Sequence, residues 1–317
     1  MQSIQGLHHI TALASDPQAN LDFYQEVHGQ RLVKTTVNFD DPNSYHLYYA
    51  DQTGSPGTVL TFFHWNDYPP ARPGVGDTTA VAYAIASNAL DYWRERLSSF
   101  QISVQEDVRF GAPVISFADP DGLPLELVVQ PELAEVVHWP EGPIPFGKHF
   151  HGLSSVTLSL HEIEPTAELL TDLLGYHLVG QEGIRYRYQA SSSLSGLFID
   201  LLHLPEAPNG QFGSGAVHHI AFRAQDDAEQ LAYRQHLSQA GFRVSQVRDR
   251  QYFHSIYFRS PGGVLFEIAT DGPGFLIDEP LETLGESLML PPWLEAQRPA
   301  IQRALPPLNR QLSPNRP

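Results

Sequence analysis

The chain has 317 residues, 42% of them hydrophobic, which is enough for about two domains with sizeable cores. It carries 36 acidic and 19 basic residues, a formal net charge of −17, and no cysteine. The acidic balance argues against nucleic acid or an anionic membrane as partner. The lack of cysteine excludes disulfides, thiolate nucleophiles and Cys-ligated centres, so any bound metal must use histidine and carboxylate ligands.

The N-terminus has neither the basic residues nor the long apolar core of a signal peptide. No apolar run approaches the roughly 18 residues that a membrane-spanning helix needs. We therefore expect a soluble, cytoplasmic protein. The sequence leaves homo-oligomerisation open.

The first elements of the chain predict one β-α-β-β-β unit. Apolar and β-branched residues from Leu7 to Leu13 favour a strand, and Asp16-Pro17 then offers a helix cap with proline in the first helical position. Gly29 can end this helix. Three strand-like runs complete the unit: Arg31–Val37, Ser44–Ala50 and Thr58–Trp65.

The same order recurs three more times along the chain. Reference positions in the four starting strands lie 71, 75 and 64 residues apart, at His9, Ala80, Ser155 and His219. Spacing this regular indicates a four-fold internal repeat. The closing strands of the last three units carry a second column of aligned residues: Glu126, Asp200 and Glu267.

These repeats predict an α+β fold of four β-α-β-β-β units and a division into three parts. Two units form a first domain at 5–130, two more form a second domain at 148–272, and a tail follows at 273–317. The turn-rich and Pro-containing connections between units lie at 68–74, 131–147 and 205–215.

Histidine pairs open the first and fourth starting strands, at His8-His9 and His218-His219, and Glu267 lies on the fourth closing strand. Two histidines and one carboxylate leave several coordination positions of a metal ion open, and this ligand set is typical of non-haem iron(II) oxygenases. Taken singly, each histidine is more often a buried, hydrogen-bonded strand residue. Agreement of three groups in repeat position favours the metal site.

The four units, with histidine on starting strands and glutamate on a closing strand, resemble the vicinal oxygen chelate superfamily. It includes glyoxalase I, bleomycin- and fosfomycin-resistance proteins and extradiol ring-cleaving dioxygenases, and the chain is most similar to the hydroquinone-type ring-cleaving enzymes. Residues 256–267, with Tyr257, Pro261, Gly262 and Glu267, resemble the extradiol dioxygenase signature. The resemblance implies two half-barrel modules and makes the second histidine of each pair, His9 and His219, the ligand.

Counting ligands predicts which units share a metal site. Pairing of neighbouring units would give two incomplete sites, each with one histidine and one glutamate. Pairing of units one and four collects His9, His219 and Glu267 in one site and leaves Glu126 and Asp200 in a vestigial one. We therefore expect the first and last units to build the centre, and the two other carboxylates to be solvated or paired with arginine.

Further site residues follow from this arrangement. Side chains alternate across a strand, so His8 and His218 become candidates for orienting the ligands or reaching substrate, and Thr11 shares a face with His9. The resemblance implies that Tyr257 donates a hydrogen bond to a charged oxygen. Where catechol-cleaving relatives have a histidine upstream, this chain has Arg250, which favours para-diols.

We accordingly assign catalytic roles to Tyr257, Arg250 and His218 and substrate contacts to His8 and Thr11. His254 and Arg248 are alternatives for proton transfer.

The predicted function is an iron(II)-dependent, extradiol-type dioxygenase that cleaves the ring of a hydroquinone or related diol with dioxygen; manganese or zinc could occupy the same ligands. One alternative is a glyoxalase-like or fosfomycin-resistance-like metal enzyme. The first closing strand, 58–65, offers no carboxylate as the fourth ligand that glyoxalase chemistry typically needs. The other alternative is a binding protein without catalysis.

Overall fold

The computed structural model describes residues 3–65, 68–191 and 195–310. Within these ranges the chain forms sixteen strands, β1 to β16, and five α-helices, α1 to α5. No helix in the part described is long and apolar enough to span a membrane.

Each unit follows the predicted order of one strand, one helix and further strands. The first consists of β1 (Leu7–Ala14), α1 (Pro17–Asp22, continued by a π-helical turn at Phe23–Val27), β2 (Arg31–Asn38), β3 (Asp41–Ala50) and β4 (Val59–His64). The second consists of β5 (Thr78–Ile85), α2 (Leu90–Ser99), β6 (Gln105–Arg109), β7 (Ala112–Ala118) and β8 (Pro124–Val129). Asp16 caps α1 as predicted, by accepting from two backbone N–H groups.

The third and fourth units repeat this order. The third consists of β9 (Leu153–Leu160), α3 (Glu164–Glu168, continued by a π-helical turn at Leu169–Leu173), β10 (His177–Glu182), β11 (Arg185–Gln189) and β12 (Phe198–His203). The fourth consists of β13 (Val217–Ala224), α4 (Asp227–Gln239), β14 (Arg248–Asp249), β15 (Phe253–Arg259) and β16 (Leu265–Pro273). A final helix, α5 (Arg298–Ala304), follows short 3₁₀ turns at Phe275–Ile277, Leu281–Thr283 and Glu295–Gln297.

The strands form two curled, eight-stranded sheets that pair the units as the ligand count predicted. The first sheet runs β14-β15-β16-β13-β1-β4-β3-β2 and so joins units four and one. The second runs β10-β11-β12-β9-β5-β8-β7-β6 and joins units three and two. Each sheet therefore draws strands from both predicted domains, and the domain boundaries at 130 and 148 stay a prediction.

The repeat also sets the entry into each starting strand. A glycine with φ between 84° and 88° precedes all four, at Gly6, Gly76, Gly152 and Gly215. Side chains are rarely accommodated at such φ values, so glycine fits this turn. At Gly215 an added Cβ would lie 2.2 Å from the carbonyl oxygen of Asp121.

Alternation along the starting strands separates core from site. In β1, Ile10 and Ala12 belong to the main hydrophobic core, to which helical residues such as Leu21 and Trp93 also belong. His9 and Thr11 lie on the opposite face of the strand because side-chain direction has a period of two. The sequence thus places polar groups on the inner face of the half-barrel while its outer face packs.

The segment after β16 covers the β2 edge of the first sheet. Lys34 is fully buried and forms ion pairs with Asp278 and Glu279 of this segment. The Thr35 hydroxyl donates to the Gly285 carbonyl at 2.9 Å, and the Thr35 backbone carbonyl accepts from the Met289 N–H at 2.9 Å. These contacts protect the strand edge that would otherwise be open to pairing. The predicted tail extends to 317, and its residues 311–317 lie outside the described ranges.

Candidate metal centre

Three strands of the first sheet bring together the predicted ligands. His9, His219 and Glu267 are each the third residue of their strands, β1, β13 and β16. The register places His219 opposite Thr11, and both His9 and Glu267 beside Ala221. All three side chains are buried.

The ligand atoms of these residues converge on one point. The His219 Nε2 atom lies 2.9 Å from Glu267 Oε2, and His9 Nε2 lies 3.6 Å from the same oxygen. The two Nε2 atoms are 3.4 Å apart. Ligand atoms at right angles and about 2.1 Å from one ion would lie about 3 Å apart, so the three atoms fit a single metal ion. Among the described residues this is the one His and carboxylate cluster of such geometry.

Protonation also suits metal binding. Burial alone would raise the pKa of Glu267, but the adjacent His9 and His219 rings hold this pKa well below its ordinary value. Burial lowers the pKa of His219, against the opposing effect of Glu267. A carboxylate anion beside a neutral imidazole is the state in which these groups coordinate metals.

A second histidine lies beside each predicted histidine ligand. The Nδ1 atoms of His8 and His9 lie 2.9 Å apart, and those of His218 and His219 lie 2.8 Å apart. One nitrogen of each pair must donate and the other accept. If the ligand Nδ1 carries the proton, its Nε2 lone pair faces the centre, as outer partners of metal-bound histidines commonly arrange.

The two partner histidines differ in access to the cavity beside the centre. His218 lines this cavity, and burial together with His219 lowers its pKa to about 3. His8 is buried behind His9, and it is not one of the described residues that line the cavity. The geometry therefore gives no support to a substrate contact by His8, because its ring is turned towards His9 and Phe253.

Tyr257 and Arg250 form one unit at the side of the centre. Tyr257 lies opposite Glu267 in the β15–β16 register, and its ring centroid is 5.7 Å from that of His219. Arg250 donates from Nε to the Tyr257 hydroxyl at 3.2 Å and pairs with Asp40 at 2.9 Å. Burial and Glu267 raise the pKa of Tyr257, so its hydroxyl keeps its proton.

Of the two alternatives to Arg250, one points elsewhere. His254 Nδ1 lies 2.6 Å from Asp227 Oδ1 at the start of α4, away from the cavity. Arg248 lines the cavity.

The cavity has a volume of about 400 Å³, enough for a small aromatic molecule. Its wall combines polar groups, Thr11 among them, with apolar rings contributed by Phe39, Phe63, Trp65 and Phe253. An apolar enclosure with a few convergent polar groups is typical of a small-molecule site.

Several residues of the site were not predicted from the sequence, and Ser255, His46 and Tyr48 are the ones that bond to its polar groups. Ser255 donates to Glu267 Oε1 at 2.5 Å and fixes the carboxylate. His46 and Tyr48 line the cavity from β3. Strand alternation offered a signal for the last two, because residues two apart on a strand share a face.

In the second sheet the equivalent carboxylates are paired with arginine. Arg109 bonds to Glu126 at 2.6 Å, and Arg187 holds both oxygens of Asp200 at 2.8 Å. Arg185 adds a contact of 3.0 Å to Asp200. Of the two predicted states for Glu126 and Asp200, solvated or paired with arginine, the geometry shows the second.

The sequence matches the family described as the Glyoxalase/Bleomycin resistance protein/Dioxygenase superfamily over residues 6–127 and 152–268. The protein belongs to this superfamily. It is 44% identical, over 95% of its own length and 96% of the relative's, to a Bacillus subtilis protein named "Putative ring-cleaving dioxygenase MhqO". It is 32% identical to the chlorohydroquinone/hydroquinone 1,2-dioxygenase of Sphingobium indicum, over 96% of this chain and 97% of the relative.

Solved structures agree with this family. A crystal structure of a "putative dioxygenase" from Bacillus subtilis matches with a TM-score of 0.94 and 42% identity, over 98% of this chain and 99% of that one. Glyoxalase I from Zea mays matches with a TM-score of 0.63 and 14% identity, over 89% of this chain and 97% of that one, which shows a shared fold alone. Together the relatives support an oxygenase enzyme.

Proposed function

We propose that the protein is an iron(II)-dependent, extradiol-type dioxygenase that opens the ring of a hydroquinone. The observation that carries the proposal is the convergence of His9, His219 and Glu267 at the wall of a cavity lined by aromatic rings. Likeness to a named hydroquinone dioxygenase over nearly the whole chain supports the substrate class. The other expected partner is dioxygen.

The three proposed ligands fit iron(II). Two imidazoles and one carboxylate are the ligand set of non-haem iron(II) oxygenases, and they leave positions open on the cavity side. A bound iron(II) ion would supply a route for electrons from the aromatic ring to dioxygen. Manganese and zinc accept the same donors, so the ligand set by itself does not choose among them.

Protein groups beside the centre manage charge and protons. Arg250 is always charged, and together with the neutral hydroxyl of Tyr257 it can stabilise negative charge that develops on an oxygen of the substrate. His218 is neutral and lines the cavity; with its Nδ1 accepting from His219, its Nε2–H can donate a hydrogen bond to an oxygen bound there. Thr11 offers a hydroxyl to the substrate from the same strand face as His9.

A glyoxalase-type reaction is disfavoured by one observation. Thr61 occupies the position of unit one that corresponds to Glu267, since each is the third residue of a closing strand. Its hydroxyl is bonded to Thr11 at 3.0 Å and to His46 at 2.7 Å. Unit one therefore has no carboxylate at the position where the repeat would supply a fourth ligand.

The proposal is tested by oxygen uptake after anaerobic reconstitution with iron(II). Hydroquinone and catechol are supplied in parallel, with metal-stripped protein and manganese- or zinc-loaded protein as controls. We expect uptake with hydroquinone, ring-opened product, and no uptake without metal. Absence of uptake with both diols, in protein shown to contain iron, would overturn the proposed reaction; uptake with catechol alone would overturn the para-diol assignment.

A further inference from the structure

A hydrogen-bonded row of side chains from unit one runs along the cavity. The Thr11 and Thr61 hydroxyls are 3.0 Å apart, the Thr61 hydroxyl lies 2.7 Å from His46 Nε2, and His46 Nδ1 lies 2.9 Å from the Tyr48 hydroxyl. Thr11, His46 and Tyr48 line the cavity, while Thr61 lies buried among them. We call these four residues the unit-one wall.

The internal repeat makes this wall the counterpart of the metal side. Tyr48 lies opposite Thr61 in the β3–β4 register, as Tyr257 lies opposite Glu267 in the β15–β16 register. Two strand residues earlier, His46 bonds to Thr61 as Ser255 bonds to Glu267. At the positions where unit four has Glu267, Tyr257 and Ser255, unit one therefore has Thr61, Tyr48 and His46, which are neutral and hydrogen-bonded to one another.

Every group in the wall is uncharged. Burial raises the pKa of Tyr48 well above its ordinary value, and burial together with His219 and His9 lowers the pKa of His46. Hydroxyl groups rotate and imidazole exchanges tautomers, so the row can either donate to or accept from a ligand. Such a surface matches a neutral hydroxyl group, which can itself both donate and accept.

The wall also lies on the same cavity as the centre. Thr11 follows His9 by two residues on one face of β1 and is paired with His219 in the β1–β13 register. Thr11, His46 and Tyr48 line the cavity together with His9, His219 and Glu267. A ring held at the centre by one oxygen can therefore extend its second oxygen to the wall.

We propose that the unit-one wall binds the second hydroxyl of the substrate, the one that the centre formed by His9, His219 and Glu267 does not hold. The inference rests on the proposed function for the identity of the ligand, a neutral aromatic para-diol. Tyr48 and Thr11 make the direct contacts. His46 and Thr61 are positioning residues that fix the directions of those hydroxyls.

The test compares equilibrium binding of hydroquinone and phenol to the iron(II)-loaded protein under nitrogen, by calorimetry. Phenol lacks the second hydroxyl. The wild-type protein is expected to bind hydroquinone about tenfold more tightly, and Tyr48→Phe is expected to remove about five- to tenfold of this preference, the effect of one neutral hydrogen bond. Thr61→Val should remove a smaller part, since it acts through its neighbours.

Tyr49→Phe is the matched control. Tyr49 adjoins Tyr48 on β3 and is equally buried, but its hydroxyl bonds to Asn20 at 3.0 Å on the other face of the strand. This variant should keep the preference for hydroquinone. Loss of affinity for both ligands by the same factor in Tyr48→Phe would overturn the inference, because it would show that Tyr48 only shapes the cavity.

Two further outcomes would also overturn it. One is a wild-type protein that binds phenol as tightly as hydroquinone. The other is loss of the preference in Arg250→Met but not in Tyr48→Phe, which would place the second oxygen at Arg250. Turnover plays no part in this measurement, so failure of oxygen uptake with intact binding preference would refute the proposed reaction and leave the wall standing.

Discussion

The two sheets are built from the same unit and treat the same positions in opposite ways. In the first, the closing-strand carboxylate Glu267 faces two histidines and a cavity. In the second, Asp200 at the equivalent position is held by Arg187, which occupies the register position of Tyr257. The first arrangement leaves carboxylate lone pairs available for a metal ion. The second uses them in ion pairs with arginine.

This difference shows how a repeated fold divides its tasks. A buried carboxylate needs a positive partner, since an isolated charge in the interior is costly. An arginine holds the carboxylate in fixed hydrogen bonds, whereas the His9 and His219 rings stabilise Glu267 and can still take up a cation together with it. The second sheet is therefore interpreted as structural and the first as the chemical half of the molecule.

The largest expected effect is on metal binding. Glu267→Ala removes the charged ligand and should weaken metal affinity by more than about 1000-fold. Glu126→Ala makes the same change at the equivalent position of the second sheet and should leave affinity unchanged. Metal content after dialysis against a weak chelator measures both; loss of metal from Glu126→Ala alone would refute the pairing of units one and four.

The next effect is on stability in the second sheet. Asp200→Asn leaves Arg185 and Arg187 without their counter-charge and should lower the free energy of unfolding by about 3 kcal/mol. Metal affinity should stay at the wild-type value. Asp107, an exposed partner of Arg109, provides the control, and Asp107→Asn should have no measurable effect on unfolding. Equal urea midpoints for the wild-type and Asp200→Asn proteins would contradict this account of the second sheet.

Buried histidine should make the first sheet sensitive to acid. Burial lowers the pKa of His64 from 6.5 to about 4, so the unfolded chain binds more protons than the folded one between these pH values. Stability conferred by the neutral ring is present above pH 6.5 and is lost as the pH falls towards 4. For metal-free protein, this residue alone should cost about 2 kcal/mol of stability between pH 7.5 and 5.

His64→Asn should remove this part of the pH dependence, whatever its effect at pH 7.5. His177 is exposed on β10 of the second sheet, and His177→Asn should keep the wild-type dependence. Urea unfolding at the two pH values gives the comparison. Parallel pH dependence in the wild-type protein and His64→Asn would show that His64 does not titrate on unfolding.

The smallest effect concerns the partner of the metal-side carboxylate. Ser255→Ala removes the hydrogen bond to Glu267 Oε1 and should lower metal affinity about tenfold, as loss of an outer partner commonly does. In the second sheet Ser116 donates to Glu126 at 3.4 Å, and Ser116→Ala should leave metal affinity unchanged. Isothermal titration with manganese(II) or zinc(II) distinguishes the two variants. An unchanged metal affinity in Ser255→Ala would show that the Ser255 hydrogen bond does not support Glu267 as a ligand.

Much of this comparison could be predicted from the sequence, because the repeat spacing contains it. His9, Ala80, Ser155 and His219 are each the third residue of an eight-residue strand, as their spacing required. The pairing of units followed from counting ligands. The repeat spacing and the ligand count can both be read from the sequence, because they need only the positions of the strands and the types of their residues.

Contacts between distant parts of the chain are harder to predict from the sequence. Asp40 and Arg250 meet across 210 residues, and the spacing of the repeat does not specify a pair formed between a turn and a neighbouring unit. His46 and Tyr48 lie outside both columns of aligned repeat positions, so the repeat spacing gives no signal for them, although both lie on one predicted strand face. The sequence does not distinguish Ser255 from other strand serines, because its partner Glu267 lies on a neighbouring strand.

The central claim is that one sheet holds a metal ion and the other does not. The most direct measurement is the number of ions bound per chain, determined by native mass spectrometry after reconstitution with iron(II) or manganese(II). We predict one ion per chain in the wild-type protein and none in Glu267→Ala. Two ions per chain, or one ion retained by Glu267→Ala, would contradict the account.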